Sequence, residues 1–201
     1  MTKISPAFAV FAASIGFLYK TAKDFKKDAI ILKNGTDYCT PSFHLLSSVA
    51  LELLPKVLVA IDVCMKYGDK SEQEITQEQI IDEIRREAGT YGHNLEKLYK
   101  AHPDLMTYLD LEDVQEFPPV KPDKDYYMWE YRFKLKGVNG LISIKNIEAI
   151  RYGSFAKKPD VMLDCTGDHY IIQLLNKVDE YVLTKDKDAR EKLIGLCNPV
   201  C

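Results

Sequence analysis

The sequence predicts a mainly α-helical domain, an antiparallel bundle around one long central helix, with a short β element near residues 129–144. Three observations predict it. The run from Pro41 to Tyr67 has the length of a long helix and almost no break in its apolar content. Apolar residues recur at helical spacing towards both ends of the chain. A capping box at Thr76–Gln79 and prolines at helix starts mark where the polar connectors give way to helices.

At 100° per residue, His44, Ser48, Glu52, Lys56, Asp62 and Lys66 of the central run fall in one polar sector. The opposite arc carries Leu46, Val49, Leu51, Leu54, Val57, Leu58, Ile61, Cys64 and Met65. An arc wider than half the helix cannot be covered by one neighbour, so two or more elements must pack on it. Pro55 lies inside this helix and cannot donate to the carbonyl of Leu51, which predicts a kink. Glu52 and Lys56 are spaced to pair at i,i+4 on the exposed face.

Pro6 opens a first helix running to about Ala29, with Phe8, Phe11, Ile15, Leu18, Ala22 and Phe25 on one side, and Asn34-Gly35 closes the segment as a turn. Thr40-Pro41 reads as an N-cap and first helical position. After Gly68 and a polar connector, the capping box starts a third helix at Gln77 that buries Ile80, Ile81 and Ile84. Gly89 and Gly92 break it. Asn94 caps a short helix with Leu95, Leu98 and Tyr99 inward, and Pro103 starts another short turn of helix towards Leu109. Phe117 to Asp125, with Pro118, Pro119 and Pro122, is loop. Trp129, Tyr131, Phe133 and Leu135 then alternate with charged residues as in a half-buried strand. Asn139-Gly140 suits a hairpin turn with Leu141 to Ile144 returning, and a helix through Ile144, Ile147 and Ile150 competes for the second half. Gly167 to Leu183 and Asp188 to Leu196 read as the last two helices.

At 201 residues the chain makes one domain, 1–201, with a less regular insertion around 113–145. The hydrophobic fraction of 46% and charged fraction of 28% are those of a globular protein. A net charge of -3 gives no whole-protein attraction to phosphate backbones, so nucleic-acid contact would need a local basic patch. Five widely spaced cysteines without a CxxC pair suggest neither a disulfide framework nor a zinc site, and point to a reducing cytoplasm. The apolar stretch Ala7–Leu18 has the look of a signal-peptide core, but the lysines after it and its helical spacing favour a packed amphipathic helix. Glu52, Lys56 and Asp62 would sit at bilayer depth were the central helix a membrane span, so no membrane partner is expected.

Few residues carry chemistry. No glycine-rich phosphate loop, nucleophile elbow or paired-carboxylate motif occurs. Arg86 and His93 stand close enough for an arginine to hold a phosphate while an imidazole moves a proton. In the plainer alternative Arg86 is a solvated last-turn cation and His93 caps the next helix. Cys165 and His169 alone cannot make a zinc site, which wants about four ligands, so no metal and no cofactor are expected. Arg151, Tyr152, Lys157 and Lys158 form a small basic and aromatic patch fit for phosphate, nucleotide or RNA. The aromatic run Tyr126–Tyr131 could stack bases, although aromatics on alternating strand positions are more often core.

Three fragments together resemble the HEPN superfamily (higher eukaryotes and prokaryotes nucleotide-binding domain). They are SSVALELLPKVLVAI, which begins at Ser47, GHNLEKLYK and IEAIRYGSF, within a stretch of roughly Ser42 to Phe155. The resemblance implies an antiparallel helical bundle, homodimerisation, and a role in prokaryotic defence or toxin–antitoxin systems. Its active members resemble metal-independent RNases with an arginine and a histidine four to six residues apart on one helix. Here Arg86 and His93 have two glycines within their interval, Glu87 fills the polar slot, and no later arginine has a histidine at suitable spacing. The expectation is therefore a non-catalytic or diverged HEPN-like binding or regulatory protein with an RNA or protein partner. The alternative is a metal-independent endoribonuclease using Arg86 and His93.

Overall fold

In the computed structural model the described residues are 4–35, 41–117, 130–136, 142–145 and 168–197. A first helical stretch comprises α1 (Pro6–Val10), a π-helical turn (Phe11–Ile15) and α2 (Gly16–Asn34), one leading straight into the next. It runs past Ala29, where the sequence suggested its end, because Ile30, Ile31 and Leu32 contain no breaker. Gly35 then closes it, its N–H donating to the Ile31 carbonyl at 3.0 Å. The long helix α3 (Pro41–Lys66) follows. Next come α4 (Gln77–Gly89), α5 (Leu95–Lys100) and α6 (Pro103–Tyr108), then strands β1 (Leu111–Phe117), β2 (Glu130–Leu135) and β3 (Ile142–Lys145), and finally α7 (Asp168–Cys197).

Helix α3 is the organising element, as its wide apolar arc requires. It touches α1, the π turn, α2, α4, α5, α7 and β3, and Leu51, Leu54, Val57, Leu58, Ala60, Ile61 and Cys64 are buried along it. The helix continues through Pro55. The carbonyl of Leu51, which Pro55 cannot serve, accepts instead from the Tyr99 hydroxyl of α5 at 3.2 Å. At its far end Gly68 admits α7 closely: a Cβ there would lie 2.8 Å from Leu193 Cδ2. Burial pushes the Cys64 thiol up to about 12.

The helix starts follow local rules. Thr76 and Gln79 form the capping box, each side chain bonding the other's backbone N–H, and the Asn94 side chain accepts from the Lys97 N–H at 2.8 Å. Ile80 is buried, while Ile81 and Ile84 are only partly so. Two further features differ from expectation. The last two helices are one helix of 30 residues. The polar stretch TKDKD inside α7 contains neither glycine nor proline, and Asp186 and Arg190 pair across a turn at 3.7 Å. Tyr19 and Lys26 of α2 both bond Asp179 of α7, tying the two helices together.

The other difference is β1, which the sequence did not announce. The three strands form an antiparallel sheet in the order β1-β2-β3. A register shift between Leu111 and Asp113 puts Leu111 and Val114 both in the core, so the strand lacks strict alternation. Strand β2 alternates as expected, with Tyr131 and Phe133 buried. Phe133 meets the Tyr99 ring edge to face at 5.5 Å. Trp129, the Asn139-Gly140 turn and the helix through Ile147 and Ile150 fall outside the described residues.

Candidate functional site

His93 lies on the turn between α4 and α5. The turn is set by Gly92, whose φ of +52° is left-handed, and by Asn94, whose N-capping side chain fixes where α5 begins. This places the imidazole against Glu52, in the middle of α3. His93 Nδ1 lies 3.0 Å from Glu52 Oε2 and 3.1 Å from Oε1. Lys56, one turn along α3, donates to Glu52 Oε1 at 2.6 Å and to the Gly92 carbonyl at 2.7 Å. With Lys56 donating to it, the Glu52 carboxylate is an acceptor, so Nδ1 carries the proton and Nε2 points away from the pair.

The predicted Glu52–Lys56 pair therefore exists, but not on an exposed face. The Glu52 side chain is only 6% exposed and that of Lys56 15%. His44 and Ser48, from the same predicted polar sector, are buried too. The reason is that α5 and the sheet cover this side of α3, which turns the His44–Lys56 part of its polar stripe into an internal seam, while Asp62 and Lys66 farther along stay exposed. A buried carboxylate of this kind must be paired, and here Lys56 and His93 pair it.

The seam extends into the sheet. The Tyr131 hydroxyl donates to the His93 carbonyl at 2.8 Å and stands 3.1 Å from Glu116 Oε1. Burial first, and the Glu116 charge second, push the Tyr131 phenol well above its ordinary value. Asn94 Nδ2 donates to Glu116 Oε2 at 2.6 Å, and the Glu116 N–H donates to Glu96 Oε2 at 2.8 Å. Lys100, and then that N–H, hold the Glu96 carboxyl below its usual range. Tyr131 is thus a structural core residue with an engaged hydroxyl, and its ring is not a base-stacking platform.

Arg86 occupies a different place. It lies in the last turn of α4, its side chain 68% exposed, with Glu87 at 3.3 Å and Glu83 at 4.0 Å. Glu83 is itself bound by Lys66 at 2.8 Å and by the Tyr67 hydroxyl. These bonds, that of Lys66 foremost, hold the Glu83 carboxyl below its ordinary value. No hydrogen bond or ion pair joins Arg86 to His93 among the described residues. Arg151, Tyr152, Lys157, Lys158 and Cys165 lie outside them.

Sequence reasoning singled out His93 and the Asn94 cap but missed the partners that give the site its form: Glu116 and Tyr131 on the sheet, with Glu52 and Lys56 turned inward to meet them. The spacing of Glu52 and Lys56 was readable, whereas their meeting with residue 93 depends on how α5 folds back. Among the described residues no group of three or more His, Cys, Asp or Glu side chains is placed to hold a metal ion, and no helix is long and apolar enough to cross a membrane. No family model, curated protein or solved structure matches the chain.

Proposed function

We propose that this chain is a HEPN-like binding or regulatory protein, diverged from catalysis, acting as a cytoplasmic homodimer in a system of the prokaryotic defence or toxin–antitoxin kind. The observation that carries this reading is that Arg86 and His93 are engaged by separate carboxylates. Glu52 holds the His93 ring, Tyr131 holds its carbonyl, and Glu83 and Glu87 lie against Arg86. Lys56, the lysine beside His93, already serves Glu52 and Gly92 and is not free to hold a phosphate there. In this role His93 clasps the α4–α5 turn to the central helix, and the protein acts through its surfaces on an RNA or protein partner.

One observation favours the endoribonuclease instead. The His93 side chain is 59% exposed while Glu52 holds its Nδ1 side. A carboxylate-oriented imidazole with Nε2 outward is the arrangement a general acid or base needs. Cleavage of labelled mixed RNA in EDTA by the wild type and by His93→Ala, alongside Arg86→Ala, separates the two. The regulatory reading expects no cutting by the wild type, with His93→Ala less stable to urea. Cutting that disappears in either variant while the fold is retained overturns it. Sedimentation of the wild type tests the dimer.

A further inference from the structure

A second cluster of chemistry lies further along α3. A pocket of about 260 Å³ opens between α3, the α5–α6 junction and α7, floored by Leu58 and Ile61. Asp62, His102, Asp104, Tyr181 and Lys185 supply its polar lining. Among the described residues none of these five side chains makes a hydrogen bond or ion pair; Lys185 lies over the Tyr181 ring, 5.3 Å from its centroid, and that ring tilts against Tyr108 at 5.1 Å. Asp62 and Asp104 are exposed at the pocket's rim, and His102, Tyr181 and Lys185 are half-buried; polar groups of both charge signs converging on a concavity with an apolar floor are what a ligand site presents.

His102 marks the place most sharply. It stands at the N-cap of α6, yet its side chain makes no capping bond. Ser5, Thr76 and Asn94, at three other helix starts, cap with theirs. Its Nε2 is buried without a hydrogen-bond partner, leaving Nδ1 as the ring atom in reach of solvent. A residue that neither caps its helix nor satisfies its own buried nitrogen gives the fold little, and such exceptions to local rules gather at functional positions. Burial depresses the imidazole's affinity for a proton, although Asp62 opposes this, so the ring is held towards its neutral form. Burial likewise raises Asp62, with His102 and Lys185 opposing; a cation from outside would relieve that carboxylate.

We propose that this pocket binds a small zwitterion of amino-acid size, its ammonium held by Asp62 and Asp104 and its carboxylate by Lys185, with His102 as a neutral hydrogen-bonding partner. A volume of about 260 Å³ accommodates a molecule of that size. Two carboxylates beside one ammonium would repel a phosphate dianion, and the described residues offer no three converging donors for a metal ion. A plain amine would leave Lys185 unanswered, and a plain carboxylate would leave both aspartates so. The site lies apart from His93, and neither proposed role of His93 bears on it.

Isothermal titration of the full chain with each of the common L-amino acids tests this. At least one should bind, and its carboxamide and its 2-hydroxy-acid counterpart should each bind about tenfold more weakly or worse, one charge-assisted contact being lost in each. Asp62→Asn and Lys185→Met should weaken the same amino acid by a similar factor, with unchanged far-ultraviolet circular dichroism confirming the fold. The proposal fails if no amino acid binds at about 10 mM. It fails equally if the carboxamide or hydroxy acid binds as well as the zwitterion, or if both variants bind undiminished.

Discussion

Glu52 and Asp62 are carboxylates on the same helix, ten positions and about 15 Å of rise apart, and their surroundings are opposite. Around Glu52 a lysine, a histidine and, beyond them, a tyrosine, an asparagine and a second glutamate are joined by short hydrogen bonds. Around Asp62 a lysine, a histidine, a tyrosine and a second aspartate surround a cavity, and among the described residues their side chains make no hydrogen bond or ion pair. The residue types are nearly the same; what differs is whether the fold closes over them. Where α5 and the sheet cover α3, polar groups have to satisfy one another, because a buried group left unpaired costs more than the bond itself contributes. Where α6 and α7 part, no such demand exists, and the same chemistry remains available to something else.

The comparison breaks most easily at Glu52. Removing it as Glu52→Ala leaves the Lys56 ammonium largely buried without its carboxylate and releases the His93 ring. Loss of one member of such a pair costs about 3 kcal/mol. Asp62→Ala, which breaks no bond, should stay within about 0.5 kcal/mol of wild type. Urea midpoints at constant m-value measure both. Similar losses in the two variants would show that the clasp and the pocket do not differ as their geometry indicates.

Tyr131→Phe sharpens the contrast without opening a cavity. The ring stays packed, while the donor to the His93 carbonyl at 2.8 Å and the contact with Glu116 at 3.1 Å are lost. The expected cost is about 1–2 kcal/mol. Amide exchange should quicken at Gly92 to Asn94 before it does so in α3, since the hydroxyl anchors that turn. A uniform change across the protein would mean that Tyr131 contributes through its ring alone.

How far the sequence reveals all this depends on the range of the interactions. Signals confined to a few neighbouring residues were legible: the Thr76–Gln79 box, the Asn94 cap, the proline starts at Pro6 and Pro103, and the alternation of Tyr131 and Phe133. The mainly helical fold with a short β element followed from them and from the apolar arc of α3. Features set by distant segments were not legible. Strand β1 hid behind its bulge, which removes the alternation by which strands are recognised. The Glu52–Lys56 part of the polar stripe of α3 read as an exposed face because helical periodicity shows only that a face is polar, not that α5 and the sheet will cover it; Asp62 and Lys66, beyond that cover, are exposed. His93 was visible as a histidine and Glu52 as half of an i,i+4 pair, but their contact spans 41 positions. The pocket was less legible still, since Asp62, His102 and Lys185 come from three elements and share no local pattern.

The smallest expected effect has the opposite sign. His102→Asn replaces a side chain that does not cap α6 with the type that caps α5 so effectively, and the backbone at position 102, with φ of -120° and ψ of 72°, is extended enough to present it. The gain expected near pH 7.5 is about 0.5–1 kcal/mol. The gain should widen as the solution is acidified. Burial lowers the proton affinity of folded His102, so as pH falls past the ordinary histidine value of about 6.5 the unfolded chain takes up the proton first, and stability is lost. Asparagine has no proton to take up, so the variant is spared that loss. Asp62 works in the other direction and at lower pH, because its raised proton affinity lets the folded state bind a proton before the unfolded one. Urea titrations between about pH 7.5 and pH 5.5 therefore isolate the histidine term. A variant that is more stable throughout, and increasingly so towards acid, would show that His102 is kept at some cost to the fold, as a binding residue would be. A variant less stable than wild type would mean that the imidazole supports the α5–α6 junction, and would move the pocket to the structural side of the comparison, beside Glu52.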